Sequence, residues 1–399
     1  MRNPAKGLNV NVVLLGFVSM LTDLSSEMIF PLLPIFLTSV LGAPVAVVGL
    51  IEGVAEATAN IGKMISGMYS DKIGRRKPFV FWGYTFSSVT KPFFALATVW
   101  PHIMAVRFLD RVGKGLRGAA RDVMIADYTD EKSRGRAYGY RKTMDQVGAF
   151  LGPVAAVLLI PVLTSRFELG VAYRILFALS VIPAAAAVAI MFFIREKEER
   201  GSMKKGWKPD FKSLNRAYYV NLFVALFFFM GAFNYAFLIL RAQDLMMPLA
   251  LIPVAYIVYN FVYGAAAIPV GSLSDRIGRR WVLYAGYLIF AFTSLGMGVS
   301  GDWRLLFIFF ATYGVFMAII ESVQRAYIAD LALKEMRGTA LGLYQGVVGF
   351  AALPAGLIAG LLWDVVWSGI RATFLFSAAT SIAAVVLFAG LCKSGKCSA

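Results

Sequence analysis

Gly67-Met68-Tyr69-Ser70-Asp71-Lys72-Ile73-Gly74-Arg75-Arg76 returns 204 residues later as Gly271-Ser272-Leu273-Ser274-Asp275-Arg276-Ile277-Gly278-Arg279-Arg280. The copy is not isolated. Ala126-Asp127 followed by Arg134-Gly135 returns as Ala329-Asp330 followed by Arg337-Gly338, 203 residues on, and Pro153 has a counterpart in Pro354, 201 residues on. Three matches in one order at nearly one offset mark an internal duplication. Each copy of the ten-residue stretch closes an even-numbered apolar block, so the two halves share one orientation. That is a parallel repeat about an axis along a membrane normal.

The surrounding composition agrees. Of 399 residues, 59% are hydrophobic and only 16% charged, against about 25% charged in soluble domains. The apolar residues fall in blocks of about twenty, the length that crosses a bilayer as helix. A soluble globular enzyme, a disordered chain, a disulfide scaffold and a secreted domain are excluded. The blocks are continuous rather than alternating, which argues against a β-barrel. Lipid cannot satisfy free backbone groups, so each block must be helical.

Twelve spans are predicted: 9–38, 44–69, 79–98, 102–123, 137–162 and 171–194, then 217–241, 247–273, 281–299, 304–326, 338–362 and 371–392. The first run is too long for a signal peptide and carries Asp23 and Glu27, so it reads as a spanning helix. Residues 1–194 and 217–399 form two six-helix bundles. Residues 195–216 form a polar linker with Arg195, Lys197, Arg200, Lys204, Lys205, Lys208, Lys212 and Arg216.

Net charge is +16, from 39 Lys and Arg against 23 Asp and Glu. In a membrane protein this excess marks cytoplasmic loops and not nucleic-acid binding. Lys and Arg crowd the even-numbered joints, while residues 38–47 hold no charge and 98–104 only His102. Even joints and both termini are therefore expected in the cytoplasm. The single His102 excludes a His-based metal site, and Cys392 and Cys397 form no ligand cluster. No cofactor motif is present.

Gly-x-x-x-Asp-x-x-Gly-Arg-Arg between spans two and three resembles the signature of the major facilitator superfamily, here present in both halves. The opening Thr22-Asp23-Leu24-Ser25-Ser26-Glu27-Met28-Ile29-Phe30-Pro31 is similar to a prokaryotic subgroup of exporters, the drug–proton antiporter-like carriers. The resemblance covers the whole chain. It implies an all-α integral membrane fold, alternating access, a monomer in a prokaryotic plasma membrane, and no enzymatic activity. It also assigns Gly67, Asp71, Gly74, Arg75, Arg76 and Asp127, with Gly271, Asp275, Gly278, Arg279 and Asp330, to gating latches. In each latch the first arginine of the pair, Arg75 or Arg279, bridges two aspartates. The alternative is that these are loop charges that only set topology.

Ionisable residues at membrane depth are expensive and mark pathways, relays or paired bridges. Asp23 and Glu27 share one face of span one, and Glu52 and Glu56 one face of span two, with Lys63 further on. If these carboxylates cluster, they compete to remain ionised, which is what a proton-coupled carrier needs. Otherwise each acid has a fixed basic partner, such as Glu52 with Lys91. Asp145 in span five joins the acids as a coupling candidate, paired with Arg117 or Lys63.

Span four carries Arg107, Arg111 and Lys114 at i, i+4, i+7, with Arg117 beyond. Arg111-Val112-Gly113-Lys114-Gly115 resembles the family's span-four signature, with Lys114 in place of a neutral polar residue. Lys91 and this stripe either hold an anionic cargo or neutralise the acids of spans one and two. Gly148, Gly152 and Pro153 resemble the family's antiporter motif, with Ala155 and Ala156 replacing its trailing glycines. Small residues there permit close helix packing. In the second half Asn234, Tyr256, Tyr259, Asn260, Tyr263, Tyr344 and Gln345 are candidates for an amphipathic substrate pocket, although aromatic stripes also serve packing or face lipid.

The functional expectation is a secondary transporter, with proton-coupled export of a small amphipathic or organic molecule first. Uptake or symport of an anionic solute or metal chelate comes second. A divalent-metal carrier, or another coupling cation, comes third. Such a metal would need hard oxygen ligands.

Overall fold

The computed structural model describes residues 8–73, 75–130, 133–195, 214–332, 336–365 and 369–393. Most of the linker, Gly74, Cys397 and the side chains of Gly67, Asp71 and Cys392 lie outside the described residues. Among those described there is helix and no strand.

We number the long helices α1 (Val10–Ile29), α2 (Val45–Ile73), α3 (Lys77–Leu96), α4 (Trp100–Asp127), α5 (Arg134–Thr164) and α6 (Leu169–Leu179 and Val181–Phe193). The second half follows as α7 (Arg216–Gly231 and Tyr235–Asp244), α8 (Ile252–Ile277), α9 (Arg279–Val299), α10 (Leu306–Ala318 and Arg325–Leu331), α11 (Arg337–Val365) and α12 (Gly369–Lys393). A π-helical turn, Phe36–Val40, follows α1, and another, Ile319–Gln324, joins the two parts of α10.

Ten helical stretches among the described residues are long and apolar enough to cross a membrane, judged by length and composition. The two remaining predicted spans, α3 and α4, have 20 and 28 residues but fall outside that group. For α4 the reason is its charge. Arg107, Asp110, Arg111 and Arg117 are nevertheless buried against protein, so the sequence spends its polarity inward and keeps it from lipid.

The chain divides into two compact units. One comprises residues 1–42 and 58–205, the other 43–57 and 206–399. The first turns of α2 thus group with the second half. In each unit the same neighbours pair: α1 with α5 as α7 with α11, α3 with α4 as α9 with α10, and α3 with α6 as α9 with α12. The duplication read from sequence is therefore also a duplication of packing.

Glycines set the closest approaches. A Cβ on Gly83 would lie 2.8 Å from the Gly113 carbonyl oxygen, and one on Gly62 3.0 Å from the Cα of Gly115. On α5, a Cβ at Gly148 would lie 2.3 Å from the Met20 carbonyl oxygen, and one at Gly152 2.6 Å from the Cβ of Glu27. The small residues of α5 therefore seat the acidic face of α1 directly. Gly278, between α8 and α9, has φ of +95°, a left-handed conformation that favours glycine.

In the second unit, the start of α2 rests on α11. A Cβ at Gly356 would lie 2.1 Å from the Gly49 carbonyl oxygen. The Asp364 carboxylate closes this contact, accepting from the backbone N–H of Val45 (3.1 Å) and of Ala46 (2.7 Å). It satisfies two donors that a helix start leaves open and complements its dipole. Asp364→Ala is expected to cost about 1 kcal/mol and lower the thermal midpoint by about 3 °C, with Asp364→Glu retaining part of the loss. An unchanged midpoint in Asp364→Ala would remove this cap from the account.

Candidate functional site

The first unit holds two ionic centres along α4. In the first, Lys91 on α3 and Asp110 on α4 pair at 3.2 Å, both almost wholly buried. The close contact of Gly83 with Gly113 brings these helices together and levels the two residues. Ser87 donates to Asp110 Oδ1 at 2.5 Å, and Lys91 Nζ donates to Ser26 Oγ at 2.9 Å. The Phe30 ring carries three cations, with Arg107 at 3.7 Å from its centroid, Lys91 at 5.0 Å and Arg111 at 5.1 Å. Cation–π contacts gain strength when desolvated. Lys91 therefore pairs with Asp110 and not with Glu52, the partner the sequence suggested. Glu52 is buried but belongs to the other unit, where its neighbour Glu56 faces Tyr313.

The second centre lies further along α4. Asp23 on α1 has Asp145 as a carboxylate neighbour and Lys114, Arg117 and Arg121 as cationic ones. Asp145 pairs with Arg141 at 2.9 Å, one turn earlier on α5. Among the described residues the ion pair of Asp145 is this one, and not the expected pair with Arg117 or Lys63. A partner four residues away on the same helix needs no tertiary coincidence. Arg141 also reaches Asp122 at 2.7 Å. Arg121 donates to Ser19 Oγ at 2.7 Å and to the Tyr84 hydroxyl at 3.2 Å. Arg117 lies 4.7 Å from the Tyr84 ring centroid and donates to the Gly83 carbonyl at 3.3 Å. Lys63 lines Gly118 on α4.

The arginine motif closes one end of each unit. In the second, Arg279 pairs with Asp275 at 3.2 Å and also with Asp330. In the first, Arg76 and not Arg75 meets Asp127, at 2.6 Å, while Arg75 is exposed. The helix starts explain the shift. α9 begins at Arg279, whereas α3 begins at Lys77, two positions later in the repeat, and the arginine beside its start is Arg76.

The candidate pocket of the second half is an aromatic ladder. Tyr256 lies 5.3 Å from Tyr259 by ring centroids, Tyr259 lies 6.4 Å from Tyr263, and Tyr259 also lies 5.4 Å from Tyr313. Asn234 accepts from the Ala236 N–H at 2.9 Å and so caps the second part of α7. Asn260 donates to the Tyr256 carbonyl on its own helix. Tyr344 is buried beside Tyr287, Glu321 and Arg325, and Gln345 is half-buried. Among the described residues, no group of three or more His, Cys, Asp or Glu is placed to hold a metal.

Sequence reading missed Ser19, Tyr84, Arg121, Asp122, Arg141, Asn221 and Gln324. The repeat offset was the available signal: Tyr84 aligns with Tyr287, Arg121 with Gln324, and Ser19 with Asn221. Gln324 Nε2 donates to Asn221 Oδ1 at 2.8 Å, matching the Arg121–Ser19 bond of the first half.

The family model of the Major Facilitator Superfamily matches residues 15–240 and 222–393. An uncharacterized MFS-type transporter of Methanocaldococcus jannaschii is 37% identical over 381 residues, covering 94% of this chain and 93% of that protein. A probable 4-methylmuconolactone transporter of Cupriavidus pinatubonensis is 25% identical, covering 82% of this chain and 76% of that protein. Among solved structures, a bacterial homolog of the human lysosomal transporter Spinster superposes with a TM-score of 0.80 at 14% identity, over 98% of both chains. The chain belongs to the Major Facilitator Superfamily and is a multi-pass membrane transporter, not an enzyme.

Proposed function

We propose that this transporter couples proton movement to the export of a small amphipathic or organic molecule by alternating access. It would act as a monomer in a prokaryotic plasma membrane, with the Arg76–Asp127 and Arg279–Asp330 ends facing the cytoplasm. The observation that carries the reading is the Asp23–Asp145 centre: two carboxylates of one unit, on helices seated together by Gly148, with cations on the adjoining helices. Two such groups in a poorly solvated site exchange a proton more readily than they hold two charges. The aromatic ladder of the second unit suits an organic cargo. The relative described as a probable 4-methylmuconolactone transporter supports a small cyclic organic molecule as the class.

A second reading rests on the Phe30 centre. Three buried cations converge there, and Asp110 pairs with Lys91 among them. Guanidinium groups match carboxylates in particular, so this convergence suits uptake or symport of an anionic solute.

Purified protein in liposomes loaded with a pH-sensitive dye separates the readings. Lipophilic cations, organic anions and metal chelates are added in turn under an imposed pH gradient. Cargo-induced proton flux is expected, in the antiport sense, and is expected to fall to background in Asp23→Asn. Cargo flux that ignores the gradient would overturn proton coupling. Arg111→Gln is expected to leave the proton flux driven by neutral or cationic cargo in place. Loss of cargo binding in Arg111→Gln, with organic anions as the active class, would replace export by the anion reading.

A further inference from the structure

The Asp23–Asp145 centre needs a route to water. Asp145 is buried, yet its ion pair with Arg141 continues to Asp122, whose side chain is 51% exposed. Arg141 thus stands between an interior and a surface carboxylate, at 2.9 and 2.7 Å. A guanidinium keeps its own protons and cannot relay one. It can change partner. When Asp145 accepts a proton it no longer attracts Arg141, which still has Asp122 to receive it.

We propose that Asp122 is the surface end of the proton path and that Arg141 is the counter-ion that alternates between Asp122 and Asp145. This rests on the Asp23–Asp145 centre being the coupling site. A hydronium ion at the Asp122 end loses a proton by O–H cleavage and becomes water, the proton forms an O–H bond on Asp145 as the Arg141–Asp145 ion pair opens, and that bond then breaks as the proton forms an O–H bond on Asp23. Release reverses the order. Ser19, one turn before Asp23 on α1, holds Arg121 on one side and faces Asp145 on the other.

The second half argues that these charges are not there for packing. Its α7–α11 and α9–α10 pairs repeat the α1–α5 and α3–α4 pairs. At the position of Arg121 and Ser19 it has the buried, uncharged Gln324–Asn221 bond. Ala225 stands at the offset of Asp23, and the Gly346–Val348 stretch at that of Asp145. The same arrangement is built without ions, and buried ion pairs are weak evidence for stability. The groups that bear on the centre are Lys114, Arg117, Arg121 and Asp122 from α4, Arg141 and Lys142 from α5, and Tyr84 from α3. The Val181–Phe193 part of α6, which also packs on α1, has no titratable side chain.

The test is time-resolved infrared difference spectroscopy of the full-length protein in lipid after an acid pH jump. A protonated-carboxyl band should grow in, and it should be lost in Asp23→Asn and in Asp145→Asn. In Asp122→Asn its growth should slow about tenfold, the effect of losing one charged hydrogen bond from the step. Asp122→Glu should restore the rate. A wild-type rate in Asp122→Asn overturns the path while the coupling site stands. If no band depends on Asp23 or Asp145, the coupling site and the path both fall. Should Asp122→Asn fail to fold, Arg141→Lys reads the same step, since an ammonium cannot span both carboxylates as the fork does. Slowing in that variant supports the path, and an unchanged rate overturns it.

Discussion

Charge on α4 must be kept out of hydrocarbon, and much of the first unit follows from that constraint. Arg107, Asp110, Arg111, Lys114, Arg117, Arg121 and Asp122 occupy one helix of spanning length. A charged group at the centre of a bilayer costs several kcal/mol at the least, about 2.5–3.5 by the mildest scale. The helix can stand there only if α1, α3 and α5 supply partners. Gly83, Gly113, Gly62 and Gly115 bring the neighbouring backbones close enough for them to do so. Lys91 and Ser87 then meet Asp110, Phe30 lies under three cations, and Ser19 and Tyr84 receive Arg121.

The two halves differ in what they keep at matching positions. Both conserve the helix pairings and both close one end with an arginine on an aspartate. The first half places ion pairs at Lys91–Asp110 and Arg141–Asp145, and the second places the Gln324–Asn221 amide bond and a ladder of tyrosines. A duplicated scaffold therefore carries different side-chain chemistry at matching positions, Arg121 with Ser19 in one half and Gln324 with Asn221 in the other. The π-turn at Ile319–Gln324, a form frequent at functional sites, places Gln324 against Asn221 in the second half.

Periodicity and block length make the helices legible in the sequence, and the Gly-x-x-x-Asp-x-x-Gly-Arg-Arg repeat makes the superfamily legible there too. Partner choice is less so. Arg141–Asp145 is an i, i+4 pair and is readable in principle, but the cations of other helices, Arg117 and Lys63, compete with it in any reading of the sequence. Lys91 with Asp110 depends on how α3 and α4 slide along each other, which a sequence does not state. Arg76 replaced Arg75 because α3 starts two residues later than its repeat. Asn234 looked like a pocket residue and acts as a helix cap, because α7 breaks at Ala232–Asn234.

The central claim is that the ions of the Asp23–Asp145 centre are retained for transport and not for holding the helices together. Giving the first half the Asn221–Gln324 pair of the second and neutralising Asp145 tests it directly, in the triple variant Ser19→Asn, Arg121→Gln, Asp145→Asn. The measurement is the thermal midpoint of the purified protein. A midpoint within about 4 °C of the parent is the result this account predicts. Failure to fold, or a fall of more than about 10 °C, as expected if the ions were structural, would contradict it.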